Sequence, residues 1–375
     1  MTTSEDSPRA SATRHFFFLD ALRGLAALWV VLFHSQLKGQ LSHLSSALPD
    51  EVFSLVFQRG SLGVPIFFVI SGFVIAHSLR KSTINRSFLK QFALRRFARL
   101  NPPYYASILF ALGVAALASL AKQEPYAPMN AALSPQRLLA HLLYLQDVMG
   151  LEHFNDVYWT LCLEVQFYLV FVALLWLIQH LQVVRGWRWG RAVTLVFGSA
   201  AVLSMIHPMG LIQVVERPVL FLPHFHCFLV GIFAYWAWQR RFKIPVFYTY
   251  AGVLAIVAIA RERPFTLIAA VVAMTLFELG RAQQMSLFSN HSFQWLGKVS
   301  YSLYLTHSAV LGSVFFVGYK LTGQSLITEL IWLGIAITIS LWVAKLFWQW
   351  VEVPSIGWSR QLKQNWDERT KESYA

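Results

Sequence analysis

The chain alternates between long apolar runs and short polar segments. A membrane-spanning helix needs about 20 mostly apolar residues, and several of the runs begin at a proline, which suits a first helical turn. The pattern predicts an all-α polytopic membrane protein, a bundle of about ten transmembrane helices at residues 16–36, 61–79, 102–121, 157–178, 192–206, 218–238, 244–260, 264–280, 299–318 and 326–350. We expect a polar cytoplasmic tail at 1–15, a transmembrane domain at 16–350 and a cytoplasmic tail at 351–375.

The composition supports this class. Of the 375 residues, 56% are hydrophobic and only 13% are charged, whereas a soluble domain carries about 25% charged residues. The two cysteines lie in apolar stretches and are typical of small buried hydrophobes. The net charge of +13 does not predict a nucleic-acid partner, because basic residues in a membrane protein report on its topology.

The distribution of Lys and Arg predicts the orientation in the membrane. If the N-terminus lies inside, 22 of the 31 Lys and Arg residues fall on inside segments and 8 fall on outside segments. Short cytoplasmic loops carry an excess of basic residues. We therefore expect both termini in the cytoplasm, in agreement with an even number of spans.

Two long segments on the predicted outer side, roughly 37–60 and 122–156, repeat apolar residues at helical spacing. They predict short helices that lie on the outer surface or dip into it. Packed loop helices are the simpler interpretation, and a mouth that admits an external substrate is the alternative. The apolar positions are Val52, Phe53, Val56, Phe57, Leu138, Leu139, Leu142 and Leu143.

The first span contains three ionisable residues, Asp20, Arg23 and His34. Arg23 and His34 are eleven positions apart, so they share a helical face and stand roughly 16 Å apart along the axis. Ionisable groups in hydrocarbon are costly and usually functional. His34 could be a packing residue, but neutral imidazole also suits taking a proton from a hydroxyl. Arg23 could pair with Asp20 or hold a phosphate through its planar fork.

A basic cluster, RRFARLNPPYY at 95–105, precedes the third span. Arg96 and Arg99 are three positions apart and share a helical face. The enrichment of arginine at the cytoplasmic boundary explains them without a ligand. The alternative is a phosphate-rich cytoplasmic ligand held by charge-assisted hydrogen bonds.

The second span carries Ser71-Gly72-Phe73 within a bulky apolar run. Small residues let helices approach closely, and a narrow slot for a thin ligand is the alternative. No Gly-x-Ser-x-Gly elbow and no metal-ligand spacing appears in the sequence. His224 and His226 are two apart and do not share a helical face, so we predict no metal.

The fourth and ninth spans supply further polar candidates. Glu164 lies about two turns into the fourth span among apolar neighbours, which is a poor setting for a surface charge. We predict that it orients His34 or binds sugar hydroxyls. Trp159 opens the same span, and Tyr304 and His307 lie on adjacent turns of the ninth span. These three are candidate substrate-binding residues.

Six fragments follow one another between residues 16 and 356: LDALRGLAALWVVLFH, GVPIFFVISGFVI, the Arg-x-x-Arg of RRFARLNPPYY, WTLCLEVQFYL, LGKVSYSLYLTH and VEVP. Together and in this order they resemble acyltransferase family 3, the membrane O-acyltransferases that modify bacterial cell-surface sugars and some small natural products. Each fragment alone is weak, whereas six in order are specific. The resemblance covers nearly the whole chain.

The resemblance implies a bundle of about ten membrane helices that takes an acyl group, acetyl by default, from acyl-CoA on the cytoplasmic side. The group would pass to a sugar or glycoconjugate hydroxyl on the outer side of a bacterial cytoplasmic (inner) membrane. The family's motif residues map onto this chain as donor-binding Arg23, Arg96 and Arg99 and catalytic His34 and Glu164. Ser71 would line the slot for the pantetheine arm.

Two mechanisms and one other function stay open. His34 could deprotonate the acceptor hydroxyl for direct attack on the thioester, or it could carry the acyl group covalently. A proton-coupled transporter or permease also fits ten spans with buried His, Glu and Arg. Transporters commonly show two related halves, and the sequence shows no internal repeat.

Overall fold

The structure, a computed structural model, describes residues 16–80, 82–126, 128, 133–212, 220–284 and 286–372. These residues form helices and turns without a strand, which confirms the all-α prediction. The helices are α1 (Phe17–Ser35), α2 (Ser42–Ala47), α3 (Asp50–Val56), α4 (Gly63–Ser78), α5 (Arg86–Lys122), α6 (Pro135–Leu142), α7 (Trp159–Arg185), α8 (Trp189–Ser204), α9 (Phe225–Trp238), α10 (Ile244–Ala260), α11 (Pro264–Arg281), α12 (His291–Thr322), α13 (Leu326–Phe347) and α14 (Val353–Glu372).

Within the described residues, seven helical stretches are long and apolar enough to cross a membrane. They contain α1, α4, α5, α7, α11, α12 and α13. Three predicted spans are shorter helices: α8 and α10 are apolar, and α9 has 14 residues that are almost all buried inside the bundle. The polytopic membrane bundle is thereby confirmed, although three of its ten predicted segments fall short of the usual spanning length.

The third span does not begin at Pro102 as predicted. Helix α5 begins at Arg86, where the Asn85 side chain accepts a hydrogen bond from the Phe88 amide at 2.7 Å, and it runs through Pro102 and Pro103 to Lys122. A proline inside a helix removes one backbone hydrogen bond, which membrane helices tolerate when neighbours satisfy the backbone. The basic segment before the membrane is therefore helical and continuous with the span.

The end of the chain is helical where a polar tail is predicted. Helix α13 passes through a π-helical turn, Trp348–Glu352, into α14, which packs against α5. Residues 373–375 and the predicted tail at 1–15 lie outside the described residues.

Helices α1 and α12 touch through two glycines. A Cβ built on Gly24 would lie 2.8 Å from the Gly297 amide nitrogen, and one built on Gly297 would lie 2.3 Å from the Asp20 carbonyl oxygen. Any larger side chain would push the backbones apart. Because Gly24 meets Gly297 while His34 meets His307 ten residues later on both helices, α1 and α12 run in the same direction.

The predicted short helices of the outer segments are present as α2, α3 and α6. In the described part of the 122–156 segment, the buried guanidinium of Arg137 donates to the carbonyl oxygens of Pro128, Glu152 and His153 at 2.7–2.9 Å. His141, one turn later, accepts a hydrogen bond from the Phe154 amide at 3.1 Å. Burial lowers the pKa of His141 to about 4, so its imidazole is neutral at physiological pH.

Candidate active site

A cavity of about 140 Å³ lies between α1, α4, α5, α7 and α12, next to the π-helical turn. The helices thus bring together six of the residues predicted from the sequence, which come from five separate fragments. The polar residues that line the cavity are Arg23, Ser71, Arg96, Arg99, Thr160, Glu164, Tyr168, Ser300, Tyr301, Tyr304 and Glu352.

Three arginines converge at this cavity. Arg23 comes from α1, and Arg96 and Arg99 come from one face of α5. The Arg99 guanidinium interacts electrostatically with both of the others. Like charges that line one cavity repel each other, and this repulsion is stronger near a low-dielectric protein interior than in water. The arrangement is therefore suited to an anionic ligand that neutralises several cations at once.

Arg96 is held in a defined orientation. Its guanidinium carbon lies 4.5 Å from the centroid of the Tyr168 ring and 5.5 Å from that of Phe92. Its Nη1 donates to the Tyr168 hydroxyl at 3.5 Å. Stacking of arginine on aromatic faces is favourable and leaves the edge of the planar fork available for a phosphate.

Glu164 accepts two hydrogen bonds through one carboxylate oxygen. The Ser71 hydroxyl donates at 2.5 Å, and the Tyr168 hydroxyl donates as well. The two hydroxyl oxygens lie 3.0 Å apart. Through Tyr168, the carboxylate is connected to Arg96 rather than to His34: in the described structure no hydrogen bond joins Glu164 to that imidazole.

The Ser71-Gly72 pair places one residue at a helix contact and the other at the cavity. A Cβ on Gly72 would lie 2.1 Å from the Phe228 carbonyl oxygen, so this glycine permits close packing of α4 on α9. Ser71 points the other way and lines the cavity. The close packing predicted for the small residues is confirmed at Gly72, and the ligand slot at Ser71 stays a prediction.

Glu352 is a site residue that the sequence analysis did not single out. It is 7% exposed, accepts a hydrogen bond from the Ser302 hydroxyl at 2.7 Å and interacts electrostatically with Arg23 and Arg99. It lies at the end of the π-helical turn, and such turns are frequent at functional sites. In the sequence, the feature that points to Glu352 as a site residue is its position in the VEVP fragment.

His34 and His307 form a pair beyond the end of the cavity that Tyr304 lines. Their ring centroids are 4.9 Å apart, and His34 Nδ1 lies 3.3 Å from His307 Nε2. Each Nδ1 also lies 2.9 Å from the carbonyl oxygen four residues earlier, Val30 for His34 and Leu303 for His307. Carbonyl oxygens only accept, so both Nδ1 atoms carry the proton.

This hydrogen bonding fixes which nitrogen is basic. With Nδ1 protonated on both neutral rings, the lone pairs lie on the two Nε2 atoms. The His307 Nε2 faces His34 Nδ1 and accepts from it. The Nε2 of His34 is thus the available base, on a ring that is partly exposed, and the exposed Asp156 interacts electrostatically with it.

Tyr304 connects the histidine pair to the cavity. Its ring lies 6.0 Å from the His307 ring, and its hydroxyl lies 2.7 Å from the Thr160 hydroxyl. Tyr304 and Thr160 line the cavity, whereas His34, His307 and Trp159 do not. Trp159 instead contacts Phe68, a lining residue, at 6.4 Å between ring centroids. The cationic end and the imidazole end are therefore separated by the Tyr304 ring.

The described residues contain no group of three or more His, Cys, Asp or Glu side chains that could hold a metal ion. His226 bonds instead to the hydroxyl of Thr266 at 3.0 Å.

Comparison with known families shows which family the chain belongs to. The model of the family described as an acyltransferase domain matches residues 16–348, almost the whole chain. This chain belongs to that acyltransferase family. The chain is an integral membrane protein, and its matched region contains Arg23, Arg96, Arg99, Glu164 and the two paired histidines.

The chain shares 29–32% identical residues with individual relatives. The chain is 32% identical to acyltransferase MdmB of Streptomyces mycarofaciens over 128 residues, which is 34% of this chain and 32% of that protein. It is 30% identical to protein 2 in the picA locus of Rhizobium radiobacter over 205 residues, 52% and 96% of the two chains. It is 29% identical to nodulation protein 10 of Rhizobium leguminosarum bv. viciae over 238 residues, 60% and 61% of the two chains. The chain thus spans about a third of MdmB, and no solved structure matches it.

Proposed function

We propose that the acyltransferase moves a short acyl group, acetyl by preference, from acyl-CoA on the cytoplasmic side of a bacterial inner membrane to a sugar or glycoconjugate hydroxyl on the outer side. One observation carries this proposal: a narrow cavity with three arginines at one end and a histidine pair beyond the other. Acyl-CoA has the matching form, with phosphates at one end and a thioester at the other.

The donor is oriented by its phosphates. Arg96 and Arg99 bind the diphosphate, with Arg23 facing it from α1, because planar guanidinium groups bind phosphate oxygens in pairs. The volume of about 140 Å³ is below the roughly 300–1,000 Å³ of a ligand pocket. It suits a slender pantetheine arm rather than a whole cofactor. Arg23 and His34 stand roughly 16 Å apart along α1, a span comparable with the length of that arm.

His34 is the general base of the transfer. Its Nε2 takes the proton from the acceptor hydroxyl while the oxygen attacks the thioester carbonyl carbon. The C–S bond then breaks, the CoA thiolate leaves, and the imidazolium returns its proton to the sulfur. His307 and the Val30 carbonyl hold the reactive tautomer. General-base help of this kind contributes roughly 10²–10⁴-fold.

Glu164 acts on the donor side in this proposal. Its hydrogen bonds to Ser71 and Tyr168 support the ring on which Arg96 stacks. Trp159 and Asp156 lie near the predicted outer end of α7, where a sugar acceptor would approach, since aromatic and carboxylate groups suit stacking on a sugar and hydrogen bonding to its hydroxyls.

The test uses purified protein in sealed vesicles with labelled acetyl-CoA inside and a soluble oligosaccharide outside. Acyl transfer predicts CoA release inside together with labelled sugar outside. A proton-coupled permease predicts accumulation of an unmodified solute and no thioester cleavage. Intact acetyl-CoA after many hours, with the protein folded, would refute acyl transfer from this donor.

A further inference from the structure

A second cavity opens at the end of the bundle that is predicted to face the cytoplasm. It has a volume of about 440 Å³ and lies where α4, α7 and α9 end and α8 begins. This size is within the range of a ligand pocket, about 300–1,000 Å³. Its polar and aromatic lining includes Arg80, Gln179, Gln182, Trp189, Trp236 and Arg241.

The two cavities share one stripe of α7. Glu164 and Tyr168 line the first cavity, and Phe171, Leu175 and Gln179 line the second. Steps of three and four residues keep all five on one helical face. The nearest members, Tyr168 and Phe171, are separated by only about 4.5 Å of helix rise. The two cavities therefore border each other along α7, less than one helical turn apart at their nearest lining residues.

The second cavity is cationic. Arg80 and Arg241 are solvent-exposed, lie at the ends of α4 and α9, and both interact electrostatically with the Tyr235 hydroxyl. The Arg80 guanidinium is anchored, because its Nη1 donates to the His77 carbonyl oxygen at 2.8 Å. No acidic residue is among the described side chains that line this cavity. Two guanidinium groups that line one cavity without a carboxylate favour a phosphate.

The same cavity has an aromatic wall. The rings of Trp189 and Trp236 lie 6.3 Å apart at 76° to each other. Trp236 is 3% exposed, whereas Trp189 is half-buried. Nucleobases stack on such rings without a strict sequence or base requirement. The side-chain amide of Gln179, another lining residue, is held by hydrogen bonds with the Ile84 amide at 2.7 Å and the Ser82 carbonyl oxygen at 3.0 Å.

We propose that the second cavity binds the 3′-phosphoadenosine end of CoA, with the 3′-phosphate at Arg80 and Arg241 and the adenine at Trp189. This inference rests on the proposed function, since it places the far end of the same donor. The diphosphate lies at Arg96 and Arg99, and the arm continues through the first cavity. The donor is thus selected by its nucleotide as well as by its thioester.

The test compares the binding of CoA and of 3′-dephospho-CoA to the full-length protein in detergent by isothermal titration calorimetry. The wild-type protein should bind CoA about 10- to 100-fold more tightly, the effect of a phosphate with charge-assisted hydrogen bonds. The double variant Arg80→Gln with Arg241→Gln should lose this preference because its affinity for CoA falls while that for 3′-dephospho-CoA is unchanged. Arg185→Gln, an exposed arginine at the same end outside the lining, should keep it.

Equal affinities of the wild-type protein for the two ligands would overturn the inference, as would an undiminished preference in the double variant. An equal loss of affinity for both ligands would also overturn it, since the arginines would then bind the diphosphate or a lipid headgroup. If the double variant does not fold, as judged by its melting temperature, the two single variants carry the same comparison. Preference for CoA in a protein that transfers no acyl group would sustain the nucleotide site and refute the proposed function instead.

Discussion

Replacement of His307 by Gln should reduce acyl transfer far less than replacement of His34. His307 Nε2 accepts a contact of 3.3 Å from His34 Nδ1, while the Val30 carbonyl accepts from the same atom at 2.9 Å. The shorter bond survives in His307→Gln and keeps the reactive tautomer. One neutral hydrogen bond is worth about 0.5–1.5 kcal/mol, and 1.36 kcal/mol corresponds to tenfold in rate. We therefore expect kcat of His307→Gln to fall about two- to twelvefold.

His34→Gln removes the base itself and should lower kcat by roughly 10²–10⁴-fold. The assay measures kcat at saturating acetyl-CoA and acceptor for both variants, with melting temperatures as a check on folding, because His307 is fully buried. A loss in His307→Gln as large as that in His34→Gln, at an unchanged melting temperature, would refute this reasoning. The two imidazoles would then act as one proton-transfer unit.

Three further outcomes follow from the same structure. Arg99→Ala should raise KM for acetyl-CoA about 10- to 100-fold with kcat little changed, because a charge-assisted contact to phosphate is lost; Lys90→Ala, exposed on the same helix, should not. Gly72→Ala should lower the melting temperature, since its Cβ would lie 2.1 Å from a carbonyl oxygen of α9, whereas Gly334→Ala meets nothing within 4 Å. The pKa of His141 is lowered to about 4, so its neutral imidazole stabilises the fold above pH 6.5, and this contribution is lost as the pH falls toward 4. At pH 5 the loss in the free energy of unfolding is roughly 2 kcal/mol. The variant His141→Asn should lack this part of the pH dependence in thermal unfolding.

Opposite results would be equally clear. A normal KM in Arg99→Ala would remove this side chain from donor binding. A Gly72 variant as stable as the Gly334 control would contradict the close packing of α4 on α9. Identical melting curves of wild type and His141→Asn between pH 7 and pH 5 would show that the imidazole takes up its proton in the folded state as readily as in the unfolded chain.

The membrane-spanning segments could be predicted because long apolar runs indicate which residues lie in the bilayer. The ends of the helices could not be predicted in this way. Hydropathy identifies the part of a helix that lies in lipid. Helix α5, however, begins at Arg86 with a polar part that precedes its apolar part. The pair Pro102-Pro103 suggested a start, yet the Tyr301 hydroxyl donates to the Leu100 carbonyl oxygen at 3.1 Å within that turn. Such tertiary support is not visible in a local pattern.

The candidate site could be predicted in part, because the spacing of residues along one helix shows which of them share a face. Arg23 and His34 lie on one face of α1 toward α12, and Ser71 lies on the cavity side of α4. Pairing between helices was not predictable: His34 and His307 are 273 positions apart. Tyr168 looks like any aromatic residue of a membrane span, and its contacts with Arg96 and Glu164, which show its place at the cavity, come from other parts of the structure.

The most direct test of the account is the rate of acetyl transfer from acetyl-CoA by purified protein in which only the first-span imidazole is removed. His34→Ala and the matched control His180→Ala, an exposed histidine on α7, are reconstituted at equal, verified amounts. We expect His34→Ala to lose at least about a hundredfold in rate and His180→Ala to keep the wild-type rate. Transfer by His34→Ala at the wild-type rate would contradict this expectation.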